Sequence, residues 1–147
     1  MSLLQTLVAF LIALAVLVVV HELGHYLVAR WCGVKVLRFS VGMGKIIYSR
    51  RFGADQTEWA LSVLPLGGYV KMLDAREQDL STVPADDLRR EFTRQPVLKR
   101  IAIVAAGPLA NFLLAIVVFA GLYTYGILEP TTRLRAVPEA TAAYQGG

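Results

Sequence analysis

Two long apolar runs, separated by a charged middle, dominate the pattern of the chain. The first run covers residues 7–20 without one polar side chain, and the second covers residues 101–128 without one charge. A helix needs about 20 mostly apolar residues to cross the hydrocarbon core of a bilayer. Because the first run extends with few interruptions over residues 3–29, both runs predict membrane-spanning helices, and Gly33 marks the predicted end of the first.

Between the two runs the pattern changes to short, partly alternating segments. The segments "VKVLRFSV", "KIIYSRR" and "TEWALSVL" are rich in β-branched and aromatic residues and are separated by glycine or proline. Residues 31–72 therefore predict a small antiparallel sheet associated with the membrane, with a turn at residues 65–68. Residues 73–100 are polar and predict a solvated connector with one short surface helix near residues 85–92.

These elements together predict a membrane α+β protein with two transmembrane helices that flank the sheet. The predicted order is a transmembrane helix in residues 1–30, the sheet region in 31–72, the connector in 73–100 and a second transmembrane helix in 101–128. Residues 129–147 predict the start of a further segment. We therefore expect the chain to be a truncated part of a polytopic protein.

The charges are unevenly distributed along the chain. Of 15 Lys and Arg residues, 13 lie between Arg30 and Arg100. Positive residues flank membrane helices mainly on the cytoplasmic side, so the middle segment is predicted to be cytoplasmic and both ends periplasmic. The same segment carries 8 acidic residues, and this mixture of charges argues against a basic surface that binds nucleic acid. The remaining excess of basic residues suits contact with the anionic lipids of a bilayer.

The first apolar run contains the motif HELGH at residues 21–25. Side chains four residues apart lie on one face of a helix, so His21 and His25 can bind one zinc ion, with Glu22 beside them as general base. A glutamate inside a membrane is costly unless a metal or another group compensates its charge. The alternative is that these polar groups only hold the two helices together, with Asn111 as a partner. Both histidines of the chain fall in this motif, which favours zinc.

Three segments of the chain resemble the site-2 protease family in their order and approximate spacing: "VHELGHYLVARWCGVKVLRFSVGMGK", "LPLGGYVKM" and "RIAIVAAGPLANFLLA". The resemblance covers nearly all of residues 10–125 and is greatest to the bacterial members that regulate sigma-E. It implies an intramembrane zinc metalloendopeptidase of the bacterial inner membrane. Such an enzyme cleaves membrane-spanning segments of single-pass proteins, for example an anti-sigma factor, with His21 and His25 as zinc ligands and Glu22 as catalytic base.

The resemblance also implies roles for groups outside the motif. In the family the sheet region handles an extended substrate strand, which makes Gly67, Gly68 and Asn111 candidate substrate-binding residues. For the two glycines a turn-forming role is the stronger alternative, and for Asn111 a helix–helix contact is equally favoured. The tail "AVPEATAAYQGG" is similar to the opening of a periplasmic PDZ domain.

A catalytic zinc site has three protein ligands and one open position, and the motif supplies two. In the family the third ligand is an aspartate in a distal transmembrane helix, so the C-terminal half of the protease is an expected partner. The 147-residue chain alone is then expected to be inactive. Four other carboxylates of the chain lack motif support: Asp55, Glu58, Asp74 and Glu77. The competing hypothesis is a non-catalytic membrane module that binds substrates or partners without cleaving them.

Overall fold

Two long helices and one sheet form the part of the chain that the structure describes. A computed structural model describes residues 2–126, and the predicted segment 129–147 and the end of the predicted second helix lie outside them. The elements, in chain order, are α1 (Leu3–Trp31), β1 (Val36–Phe52), β2 (Thr57–Met72), α2 (Ala85–Leu88) and α3 (Val97–Tyr125). Helices α1 and α3 are each long and apolar enough to cross a membrane, as the apolar runs predicted.

Local signals fix both ends of α1. The Ser2 side chain accepts a hydrogen bond from the Gln5 amide at 3.3 Å, and the Gln5 side chain accepts one from the Ser2 amide at 2.9 Å, which together form a capping box. After Trp31, Gly33 adopts a φ of 84°, which glycine tolerates at little cost. The helix therefore stops before the charged middle of the chain begins.

The sheet is one long hairpin that folds back on itself. Strands β1 and β2 pair antiparallel, and Arg38 lies opposite both Glu58 and Lys71. The first half of β1 is therefore flanked by both halves of β2, which confirms a small antiparallel sheet. The strand bends at Gly42, where φ is 87°. Residues 65–68, predicted as a turn between strands, remain within β2.

An aromatic cluster packs the sheet against the second half of α1. The ring of Tyr26 on α1 makes edge contacts with Phe39 and Trp59, at centroid distances of 5.6 and 5.2 Å. Beside it, Ala29, Val34, Val36 and Ile103 form a fully buried core. Because this contact lies just after the HELGH motif, it brings the far half of β2 next to the motif residues.

The connector between β2 and α3 is mostly exposed or half-buried, and a few of its side chains are buried against the rest of the chain. Glu91 is only 1% exposed, and its carboxylate accepts hydrogen bonds from the Ala75 amide and from Arg94 Nε, both at 2.9 Å. A buried carboxylate is tolerated when it is hydrogen-bonded and paired, so a polar sequence can still be packed. Helix α2 ends at Leu88 and is shorter than the predicted helix at 85–92.

Candidate active site

The two histidines of the HELGH motif face one another along α1. Their Nε2 atoms are 3.2 Å apart, and their rings make an edge contact with centroids 4.8 Å apart. Two nitrogens bound to one tetrahedral zinc at about 2.0–2.1 Å lie about 3.3 Å from each other. The separation of the two Nε2 atoms therefore fits two ligands of a single zinc ion.

Helix α3 presents three successive turns to these histidines. Ile103, Gly107 and Asn111 are four residues apart and so lie on one helix face. The Ile103 carbonyl oxygen is 2.7 Å from Nδ1 of His25, and Nδ2 of Asn111 is 3.4 Å from Nδ1 of His21. A carbonyl can only accept, so a neutral His25 carries its proton on Nδ1 and keeps the Nε2 lone pair for a metal.

Gly107 leaves free the space that both Nε2 atoms face. A Cβ at this position would lie 2.3 Å from Nε2 of His25 and 2.7 Å from Nε2 of His21, too close for either ring to remain in place. Because Gly107 has no side chain, α3 can pack directly against both imidazole rings. Sequence reasoning missed this role, and its only signal is the run of small residues before Pro108.

Small residues bring α1 and α3 into backbone contact at the same level. A Cβ at Gly24 would lie 2.5 Å from the Ala106 carbonyl oxygen and 2.7 Å from the Ala110 Cβ. Gly24 is buried, and Ala106 is 6% exposed. Close backbone approach through glycine and alanine is typical of helix contacts in membranes. This close approach brings the Ile103 carbonyl and the Asn111 side-chain amide into contact with the imidazoles.

Glu22 lies on the wall of a first cavity, of about 280 Å³, whose rim is charged. Arg76 at this rim has 66% of its side chain exposed, so the cavity reaches the exposed surface of the chain. We call it the polar-rimmed cavity. It is lined by Glu22, His25, Val70, Met72, Asp74, Arg76, Glu77, Phe92, Ile103 and Val104.

The same glutamate borders a second cavity, also of about 280 Å³, which we call the glycine-lined cavity. It is lined by Leu14, Leu17, Val18, His21, Glu22, Gly67, Gly68 and Asn111. A Cβ at Gly68 would lie 2.9 Å from Cγ of Glu22, so β2 approaches the glutamate as closely as a backbone can. All three candidate substrate-binding residues thus meet the motif at one cavity, and their role in binding substrate stays a prediction.

The four carboxylates without motif support do not complete the metal site. Three of them pair with an arginine that lowers the pKa of the carboxyl below its ordinary value, chiefly through a hydrogen bond: Asp55 with Arg90, Glu58 with Arg38 and Asp74 with Arg76. Glu77 lies at the rim of the polar-rimmed cavity. Within residues 2–126 no group of three or more His, Cys, Asp or Glu residues could hold a metal ion, so none of these four carboxylates joins the two histidines in such a group.

Known proteins match the chain over most of its length. Residues 9–145 match the family described as peptidase family M50. A zinc metalloprotease of Ralstonia nicotianae is 56% identical over 144 residues, covering 95% of this chain and 31% of the relative. The regulator of sigma E protease of Haemophilus influenzae is 50% identical over 135 residues, covering 90% of this chain and 29% of the relative. Protease RseP of Yersinia pestis is 49% identical over 128 residues, covering 86% and 27%. The chain thus spans about three-tenths of the length of these curated relatives.

Proposed function

The chain belongs to peptidase family M50, and from this premise we propose that it supplies two zinc ligands and the general base of an intramembrane metalloendopeptidase. Membership confirms the resemblance to the site-2 protease family, and the two apolar helices agree with a membrane protein. The observation that carries the proposal is the 3.2 Å separation of the Nε2 atoms of His21 and His25. Glu22, which borders both cavities, lies in the same motif.

Each residue of the motif has one task in this proposal. His21 and His25 hold zinc through Nε2, and the third ligand comes from the C-terminal half of the protease. Zinc, when bound, acts as a Lewis acid that lowers the pKa of water to about 7. The Glu22 carboxylate accepts the proton of the attacking water and returns it to the leaving amine nitrogen. The polar-rimmed cavity connects this carboxylate with solvent, which hydrolysis inside a membrane requires.

The substrates are membrane-spanning segments of single-pass proteins. The glycine-lined cavity has apolar walls on α1 and a backbone wall at Gly67 and Gly68, which suits an extended, apolar polypeptide segment. The charge distribution supports residues 30–100 in the cytoplasm and both chain ends in the periplasm of a bacterial inner membrane. The physiological role we infer is regulated intramembrane proteolysis of an anti-sigma factor.

The proposal is tested by Glu22→Gln in the full-length protease, with a single-pass reporter protein as substrate. Glutamine keeps the shape of the side chain but cannot accept the proton, so cleavage is expected to fall by about 100-fold to 10,000-fold. Zinc content, measured by atomic absorption, is expected to stay at the wild-type level. Glu58→Gln is the matched control, because Glu58 is a carboxylate paired with Arg38 on the sheet.

Two outcomes contradict parts of the proposal. Retained cleavage in Glu22→Gln rules out the general-base role, and loss of zinc in that variant makes Glu22 a ligand. If the wild-type full-length protein co-purifies with the reporter without cleaving it, the competing hypothesis of a non-catalytic binding module is correct.

A further inference from the structure

Asn111 is the polar side chain of α3 that faces the motif, and its two amide atoms have different surroundings. Its Nδ2 is 3.4 Å from Nδ1 of His21. Its Oδ1 is buried and has no hydrogen-bond partner among the described residues. A residue that only joins two helices can satisfy both ends of its amide. Here one end is directed at a histidine and the other is left free.

The observed contacts correspond to one arrangement of protons. If Nδ2 of Asn111 donates to Nδ1 of His21, then His21 carries its proton on Nε2. That proton faces Nε2 of His25, 3.2 Å away, while the proton of His25 lies on Nδ1 against the Ile103 carbonyl. The three hydrogen bonds are mutually consistent, but an Nε2 that bears a proton has no lone pair for a metal.

Rotation of the Asn111 amide by a half turn reverses this arrangement. The amide nitrogen and oxygen have nearly the same shape and can exchange places. With Oδ1 against Nδ1 of His21, the histidine carries its proton on Nδ1, and Nε2 becomes a ligand. Because Oδ1 has no other partner within residues 2–126, it takes up this role without breaking another hydrogen bond there.

We propose that Asn111 is a positioning residue that selects the His21 tautomer: Nε2 of His21 is protonated when Asn111 donates through Nδ2, and is free to bind a metal when Asn111 accepts through Oδ1. It acts through His21 and not on the reacting atoms. The Ile103 carbonyl fixes the tautomer of His25 permanently, whereas the Asn111 amide makes that of His21 switchable. This inference rests on the proposed zinc site, and it is independent of the identity of the protein substrate.

Zinc affinity of the full-length protein, measured by competition with a chromophoric chelator, gives the first test. Asn111→Leu removes both amide groups at similar volume and is expected to lower the affinity by about 10-fold to 100-fold, as loss of such hydrogen-bond partners does. Asn111→Asp can only accept, so it is expected to retain at least wild-type affinity. Phe112→Leu, at the exposed neighbouring position on α3, is the control and is expected to leave the affinity unchanged.

Nitrogen-15 NMR of histidine-labelled, metal-free protein gives a readout that a purely structural role would not move. We expect His21 to be protonated on Nε2 in the wild type and on Nδ1 in Asn111→Asp, with its signals assigned by their loss in His21→Ala.

Full zinc affinity in Asn111→Leu, or an Asn111→Asp spectrum identical to wild type, would overturn the inference. If His21→Ala also leaves zinc affinity unchanged, the proposed zinc site itself is wrong. If only His21→Ala loses affinity, the site stands and the role of Asn111 fails.

Discussion

The contact between α1 and α3 and the contact of the connector with the rest of the chain use different kinds of residue. Helices α1 and α3 meet through Gly24, Ala106 and Gly107, with a few polar atoms each in a defined place. The connector meets α1 and the sheet through charged side chains, as Asp55 accepts from both Nη atoms of Arg90 at 2.6 and 2.7 Å. The helix contact requires small residues so that the two backbones can approach, whereas the connector contact requires long charged side chains.

The difference follows from the surroundings of each contact. Lipid gives no hydrophobic drive for helices to associate, so close packing of small residues is what joins them. In water a single exposed ion pair contributes about 0–1 kcal/mol, so several are needed. Asp55 also pairs with Arg30, at 3.1 Å. Added side-chain volume should therefore disrupt the helix contact. Loss of one ion pair should weaken the connector contact only slightly, because other ion pairs remain.

The largest effect is expected where volume is added next to the histidines. Gly107→Ala places a Cβ 2.3 Å from Nε2 of His25, so we expect zinc affinity to fall by about 100-fold, the upper end of the 1–3 kcal/mol that overpacking costs. Chelator competition measures this. Gly121→Ala on the same helix, where a Cβ meets no described residue within 4 Å, is the matched control. Alanine favours a helix more than glycine does, so a loss cannot come from helix propensity, and unchanged affinity would disprove the rigidity of this contact.

An intermediate effect is expected where the sheet meets the motif. In Gly68→Ala the new Cβ lies 2.8 Å from the Ser40 carbonyl oxygen and 2.9 Å from Cγ of Glu22, so either β2 or the glutamate must move. We expect reporter cleavage to fall by about 10-fold, equivalent to 1.4 kcal/mol, while zinc affinity stays unchanged because the imidazoles face α3. An equal loss in both measurements would mean that the sheet supports the metal site as a whole.

The smallest effect is expected at the connector. Asp55→Asn keeps one acceptor but removes the charge that pairs with Arg90, so the free energy of unfolding should fall by about 1 kcal/mol at neutral pH. Denaturant titration in detergent measures it. Asp79→Asn, in an exposed loop where the carboxylate accepts hydrogen bonds from Ser81, is the control. A loss of several kcal/mol would show that the contact lacks the redundancy described above.

The same variant predicts a dependence on pH. Hydrogen bonding to Arg90 lowers the pKa of Asp55 in the folded protein below its ordinary value of 3.8. The carboxylate therefore stabilises the fold above pH 3.8 and loses this contribution as the pH falls through the lowered value. The difference in unfolding free energy between wild type and Asp55→Asn should be constant near neutrality and should shrink below about pH 4. A difference that grows in acid would contradict this assignment.

Predictions from the sequence were accurate where one element carried the signal. The apolar runs located both helices because a span is a local property of about 20 residues. The HELGH spacing placed His21 and His25 on one face because the helix period is local too. The contacts of the connector were not predicted, because the partners of Glu91 include Ala75, 16 residues away, and polar composition alone favours solvent.

What the sequence determined by itself is therefore the pair of apolar helices, the intervening sheet and the motif face. Asn111 was a candidate partner of that face from the sequence, but only the tertiary structure decided which groups the face meets. His25 finds the Ile103 carbonyl 78 residues further along the chain, and His21 finds Asn111 90 residues away. No periodicity links positions so far apart, since their approach depends on how closely two backbones pack at Gly24 and Gly107. Local spacing placed the two imidazoles on one helix face, and helix packing determined which groups they contact.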